Sequence, residues 1–355
     1  MAISNDVLSS TLRILLDEEV DQLYQATPLL DKMRERGGVE TYDGGQKLDV
    51  PLILEEHSSI TQLDSGYEPV NLAVKDSLRT ASFTWCDFVA PIVITRSEEL
   101  SNKGERAIID IAEARMKSVM GALKREVEKQ ILANASSILT NLNTFNGLSA
   151  TDGGAVGSGG NSTQGFFDNV AFGSQTAGTN VGSLSKATFP RLQNQFVDDG
   201  GTLAISSMTD LYINCQLNTP DGSAPDLIIC SPQFYKAYKA LLQQQERYID
   251  EKVLDGGRLA LAFNGAMVVA SPFLGSDVQN PAGGAPGDVD GNERISAYYL
   301  NTRYIKLAFD SAAQFEMDDF EHVSGYASRS ANIYTRMQVY FSHLASQGLH
   351  TDAEA

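Results

Sequence analysis

The side chains of this chain best suited to chemistry are scattered, and their spacing assembles no common catalytic or metal-binding constellation. His57, His322, His343 and His350 have no second ligand at the H-E-x-x-H spacing, which would put two imidazoles on one helical face for a metal ion. Cys86, Cys215 and Cys230 are odd in number, far apart and form no C-x-x-C, so they read as buried thiols of a reducing compartment. No G-x-S-x-G elbow offers a nucleophilic serine. Asp288-Val289-Asp290-Gly291-Asn292 resembles part of a calcium loop but lacks its ligand order and closing Glu, and reads as a solvated acidic turn. Glu316, Asp318, Asp319 and Glu321 cluster with no base or ligand set beside them and read as a solvated face. The glycines Gly147, Gly153, Gly154, Gly157, Gly159 and Gly160 fit neither the P-loop nor the dinucleotide fingerprint. The expectation is a chain with no catalytic residues, no cofactor-binding residues and no metal ligands, which works by something other than catalysis.

Composition narrows the alternatives. The 355 residues can bury a sizeable core, and 42% hydrophobic against 20% charged residues is an ordinary globular balance. A formal net charge of -18 argues against a general nucleic-acid or anionic-membrane binder, because phosphates are repelled. It remains compatible with a container that must hold DNA without sticking to it. No apolar run approaches the ~20 residues that span a bilayer. Residues 1–17 lack a basic n-region and cleavage site, so no secretory signal is expected, and the sequons at Asn134 and Asn161 carry no meaning.

The elements that would position any function begin with a helical stretch over residues 7–36, interrupted or restarted at Pro28 and stopped by Gly37-Gly38. From Gln46 the period becomes two: Leu48, Val50, Leu52 and Leu54 alternate, and Pro51 marks an edge strand. A second strand-like stretch runs from Leu78 to Ile94. The two form a long ribbon, and an isolated two-stranded ribbon is marginal in water. At Thr95 this excursion runs directly into a helix. Thr95-Arg96-Ser97-Glu98 fits a capping box, and Ile108, Ala112, Met116, Val119, Leu123, Val127 and Ile131 mark one apolar face towards Asn134, with Gly104 a weak point. Neither ribbon nor helix looks able to bury itself within one globule, so both are expected to lie on identical neighbours. Residues 146–182 read as a surface loop or boundary. Beyond Ser183, Phe189, Leu192 and Phe196 suggest a short helix stopped at Gly200-Gly201. Asp226–Cys230 reads as a buried strand, and Ser231-Pro232 as the start of a helix to about Gln245. Ala266–Ala270, Ile295–Leu300, Arg303–Phe315 and Asn332–Phe341 read as further strands.

This order of parts resembles the major capsid proteins of tailed bacteriophages with the Hong Kong 97-type fold. The segments that carry it are "GGQKLDVPL", a hairpin ending "TASFTWCDFVAPIVIT", the helix "SEELSNKGERAIIDIAEARMKSVMGALKREVEKQIL", "DLIICSPQFYKAYKALLQ", "NGAMVVASPF" and the terminal "ISAYYLNTRYIKLAF" and "ANIYTRMQVYFSHLASQGL". The resemblance spans nearly the whole chain and rests on no single motif. It implies an α+β fold: an N-terminal arm (1–45), an extended loop (46–94), a peripheral domain with a spine helix (95–145), an insertion (146–182), an axial domain (183–300), and return strands with a tail (301–355).

It further implies a structural protein of the virion, assembled in the host cytoplasm. Its partners would be neighbouring copies in pentamers and hexamers, a separate scaffolding protein, portal and decoration proteins, and enclosed double-stranded DNA, with no membrane. Inter-subunit contacts are expected at Asp64, Ser65, Gly66, Tyr67, Glu68, Lys75 and Arg79. Some relatives join subunits by a Lys–Asn isopeptide bond; Lys75 and Asn332 stand in the corresponding loop and late strand, but no motif aligns them and no cross-link is expected. The competing readings are an encapsulin-like shell around protein cargo, a small α/β enzyme, and another phage structural protein.

Overall fold

The computed structural model describes residues 28–55, 60, 62, 64, 77–101, 105–132, 141–143, 165–167, 172–173, 180–199, 202–244, 252–253, 259–271, 274, 295–322 and 325–351. The described part opens with helix α1 (Pro28–Glu35), which buries Leu29, Leu30 and Met33. Gly37 takes the left-handed conformation (φ 67°), and the N–H of Gly38 donates to the Met33 carbonyl at 2.7 Å, closing the helix end. The predicted stop at Gly37-Gly38 is therefore met; residues 7–27 of the expected helical stretch lie outside the described residues.

Strand β1 (Val39–Tyr42) then enters a six-stranded sheet, pairing in parallel with β15 (Ile305–Asp310). β15 pairs antiparallel with the long β18 (Ser328–Phe341), which also carries the short β16 (Glu316–Met317) and β17 (Glu321–His322). On its other side β18 pairs with β4 (Cys86–Thr95) over ten consecutive positions. Along β18 Ile333, Thr335, Met337, Val339 and Phe341 are buried as expected, but the alternation with more exposed neighbours stops at Met337, because Gln338 and Tyr340 are buried as well. Helix α2 (Arg96–Ser101) follows β4, then α3 (Glu105–Leu132). Of the expected apolar face α3 buries Met116, Leu123, Val127 and Ile131, with Val119 half-buried and Ile108 and Ala112 outside the described side chains; Met120 and Leu132 are buried in addition.

A seven-stranded sheet forms the second layer. Its order is β11 (Lys252–Val253), β12 (Leu259–Phe263), β13 (Ala266–Ala270), β10 (Leu227–Cys230), β14 (Ile295–Leu300), β19 (Gly348–Thr351) and β9 (Gln195–Asp198). β10 lies mid-sheet with all four residues buried, as its unbroken apolar run predicts. Helix α5 (Pro232–Gln244) starts as expected: Pro232 takes the first helical position and the Ser231 hydroxyl accepts from the Phe234 N–H at 3.1 Å. Replacing Ser231 by Ala removes this buried cap and should cost about 1 kcal/mol, read as a lower denaturant midpoint with unchanged slope.

Four expectations from sequence need correction. The stretch Leu78–Ile94 is two strands, β3 (Leu78–Thr84) and β4, divided at Trp85, because β4 leaves the ribbon to pair with β18. Phe189–Phe196 is not a helix: a three-residue 3-10 turn (Pro190–Leu192) leads into β9, where parallel pairing with β19 outweighs local preference. Arg303–Phe315 is a 3-10 turn (Thr302–Tyr304), then β15, then a turn closed by Phe315 in the left-handed conformation (φ 55°). Within residues 146–182, β6 (Gly165–Phe167), which pairs in parallel with β5 (Asn141–Asn143), is core rather than surface: Phe166 and Phe167 are fully buried. Helix α4 (Ile205–Leu217), β12, β19 and the small hairpin of β7 (Asn180–Val181) with β8 (Leu184–Ser185) are additional to the sequence reading.

Candidate assembly interface

The ribbon is β2 (Lys47–Ile53) paired antiparallel with β3, and these two strands form a sheet of their own. Strands of seven residues span about 23 Å, shorter than the excursion expected from sequence. The register sorts its residues by face. Leu48–Phe83, Val50–Ala81 and Leu52–Arg79 turn inward, and Leu48, Leu52, Ala81 and Phe83 are buried. The outward face pairs Lys47–Thr84, Asp49–Ser82 and Pro51–Thr80, with Ser82 Oγ donating to Asp49. It ends in an apolar pair, Ile53–Leu78, with Ile53 71% and Leu78 60% exposed. Beyond it, Ile60 is 91% exposed.

The inner end of the ribbon is fixed to its own chain. Gly182 sits against β3 with φ +52°, and a Cβ there would meet the Ala81 Cβ at 2.7 Å. Its carbonyl accepts from the Ser82 N–H at 2.9 Å. The Phe83 ring lies 5.9 Å from Phe166, and Gln338 donates to the Thr84 carbonyl. The ribbon is thus covered along its inward face, Leu54 beyond β2 included, and carries the exposed pair Ile53–Leu78 on its outward face. Its inward face buries within one subunit, contrary to the expectation that it could not; among the described residues it is the outward face that carries exposed apolar side chains.

Of the residues expected at contacts, Asp64 is exposed. The Arg79 guanidinium lies 5.8 Å from the Phe189 ring centroid, so it packs on its own chain. Ser65, Gly66, Tyr67, Glu68 and Lys75 lie outside the described residues, as does the acidic turn 288–292. Asn332 is in β18 opposite Pro91. Glu316, Asp318, Asp319 and Glu321 are exposed, and Cys86, Cys215 and Cys230 are buried and form no disulfide with one another. Among the described residues, no three of His, Cys, Asp and Glu converge as a metal site, and no helix is long and apolar enough to cross a membrane.

The junction at Thr95 is bonded from three elements. Glu98 Oε2 accepts from the Thr95 backbone N–H at 3.0 Å and from its hydroxyl at 2.7 Å. The first contact is the carboxylate half of the predicted capping box. Arg115, nearly three turns into α3, donates to both Glu98 and the Val93 carbonyl, tying helix, cap and strand together. Sequence reasoning missed Arg115 because it stands 17 positions from Glu98, with no local motif joining them. The Thr95 hydroxyl, then the Thr95 N–H and Arg115, hold the Glu98 carboxyl below its ordinary 4.5. A lowered folded pKa stabilises above the unfolded value, and that stabilisation is lost as pH falls through the folded one. The stability gap between wild type and Glu98→Gln should therefore be fully present at neutral pH and close below pH 4.5, in denaturant titrations at stepped pH.

A second cluster ties β1 to the six-stranded sheet. Tyr42 and Tyr340 donate to Glu40 Oε2 at 2.6 and 2.8 Å, and Lys306 pairs with Glu40 at 3.1 Å. Behind α1, Arg36 pairs with Asp226 at 3.3 Å, and Asp226 also accepts from the Thr302 hydroxyl at 2.6 Å. These contacts fix elements to one another: Glu40 and Asp226 each face three donors from their own chain.

No family model matches the chain, and no curated protein matches it in sequence. Solved structures do. The capsid of an empty GTA particle aligns over 90% of this chain and 89% of its own, at 12% identity and a TM-score of 0.54. The cyanophage A-1(L) capsid aligns over 89% and 90%, at 12% identity and 0.52. The encapsulin of the SrpI complex from Synechococcus elongatus PCC 7942 aligns over 92% and 88%, at 11% identity and 0.50. The chain has the fold of capsid and encapsulin shells. Coverage near nine-tenths in both directions makes the likeness one of whole subunits.

Proposed function

We propose that this protein is the major capsid protein of a tailed bacteriophage, of the Hong Kong 97 type. It assembles through pentamers and hexamers into an icosahedral shell around double-stranded DNA. The observation that carries this reading is the ribbon: a polar outward face ending in the bare pair Ile53–Leu78, on a fold shared end to end with capsid chains. An exposed apolar pair on the outward face of the ribbon is suited to cover by another subunit. In this reading residues 46–94 include the loop that overlaps a neighbour, α3 is the spine helix, and the seven-stranded layer clusters about the five- and six-fold axes. The net charge of -18 suits a lining that leaves packaged DNA mobile. The work is assembly, with no chemical step; scaffolding, portal and decoration proteins are its expected partners, and the virion its location.

The encapsulin-like alternative is favoured by one observation, the comparable match to the Synechococcus encapsulin. Content separates the two. Native particles purified through nuclease treatment should retain protected double-stranded DNA; particles filled with a folded enzyme and free of DNA would move the assignment to the cargo shell.

A further inference from the structure

Two chain crossings between the sheets run side by side. One carries β14 into β15 through 301–304, and the other carries β18 into β19 through 342–347. They are stitched to each other. The Asn301 N–H donates to Gln347 Oε1 at 2.8 Å, Gln347 Nε2 donates to the Asn301 carbonyl at 3.2 Å, and the Ser342 N–H donates to the Tyr304 carbonyl at 2.9 Å. The Gln347 carbonyl also accepts from the Gln195 N–H at 2.8 Å, which adds β9 to the joint.

His343 stands in this joint, half-buried beside the exposed Ser342. Its carbonyl accepts from Ser346 Oγ at 3.2 Å, and its ring centroid lies 5.4 Å from that of Tyr304. Nδ1 is buried and has no hydrogen-bond partner among the described residues. The charges that act on the ring come from two other segments. Arg191, in the 3-10 turn before β9, opposes a positive ring, and Asp221, beyond α4, favours one. Asp221 is already engaged: Arg303 and the hydroxyls of Tyr304 and Ser223 donate to it. Burial raises the Tyr304 phenol above its ordinary range, so it stays neutral in acid. An imidazolium here would carry an Nδ1 proton with no acceptor and a charge opposed by Arg191. Burial, then Arg191, accordingly hold the ring below its ordinary 6.5. For a base held low, the stabilisation is complete above 6.5 and is lost as pH falls from there towards the folded value.

We infer that His343 is a pH-sensitive latch on the joint: neutral, it lies against Tyr304 and leaves the crossings stitched; protonated, it leaves its site and opens them. The latch goes beyond the assembly reading and holds whether or not the chain forms shells.

The test is amide exchange of the full-length chain at about pH 7.5 and about pH 5, corrected for the intrinsic effect of pH. Peptides covering 301–304 and 342–347 report on the joint, and the buried β10 serves as the internal reference. In wild type, acid should lower protection at the joint by about tenfold, the equivalent of one pKa unit, and leave β10 unchanged. His343→Gln, neutral at both values, should abolish that response. Arg191→Gln removes the opposing charge and should weaken it, which keeps the latch testable if the first variant folds poorly. Equal protection of the wild-type joint at both pH values would overturn the latch. So would an undiminished response in His343→Gln, which would assign the effect to another group such as His350. A change in His343→Gln of the same size at both values, with the wild-type response intact, would reduce His343 to a packing residue.

Discussion

Replacing Ile53 and Leu78 together by aspartate is expected to abolish shell assembly while leaving the subunit folded. Both side chains stand on the outward face of the ribbon, opposite each other and mostly exposed. Within the subunit they contribute little, and surface changes of this kind usually alter stability by no more than about 0.5 kcal/mol. In an assembled shell the same pair would be covered. Each apolar side chain then loses about 1.5–3 kcal/mol of burial, and an unpaired carboxylate is placed against a neighbour. A loss of about 3 kcal/mol per contact raises the critical concentration more than a hundredfold, and a shell repeats the contact at every subunit. The thermal unfolding midpoint should match wild type, while microscopy shows no closed particles. Normal shells from the double variant would remove the ribbon end from the interface.

The second large effect lies in the core. Phe166→Ala should destabilise the subunit by about 3–5 kcal/mol, the cost of emptying a fully buried aromatic site. Its ring centroid lies 4.3 Å from Phe341 and 5.9 Å from Phe83, so it joins the end of β18, the ribbon and β6. Against a total of about 5–15 kcal/mol, such a loss is a large part of the stability. It would be read from the denaturant midpoint of the unassembled subunit. A change below ~1 kcal/mol would mean that the site collapses without a cavity.

The physical character of each segment explains what was legible in its sequence. Where one face is buried and the other more exposed, as along Leu48–Leu52 or Ile333–Met337, the period is written in the residues and the structure keeps it. Where a buried strand is followed by a hydroxyl and a proline, as at Cys230-Ser231-Pro232, the cap announces the helix. The failures share a cause. Phe196 is in a strand because β19, more than 150 residues away, pairs with it, and Phe166 is in the core because Phe341 and Phe83 surround it. The glycine-rich composition around Phe166 gave no sign of this. Trp85 divides the expected strand because β4 has a partner on the other side of the chain. At the candidate interface, the alternation gave the ribbon's inward face. The exposed Ile53–Leu78 pair depended on register, and Arg115 and Gly182 depended on tertiary approach.

Electron microscopy of the purified full-length protein, with sedimentation of the same sample, tests the central claim most directly. The account predicts closed icosahedral particles or five- and six-membered rings of the 38.4 kDa chain, lost in the Ile53→Asp/Leu78→Asp variant. A monodisperse monomer or dimer at every concentration, with or without co-expressed scaffolding protein, would contradict it.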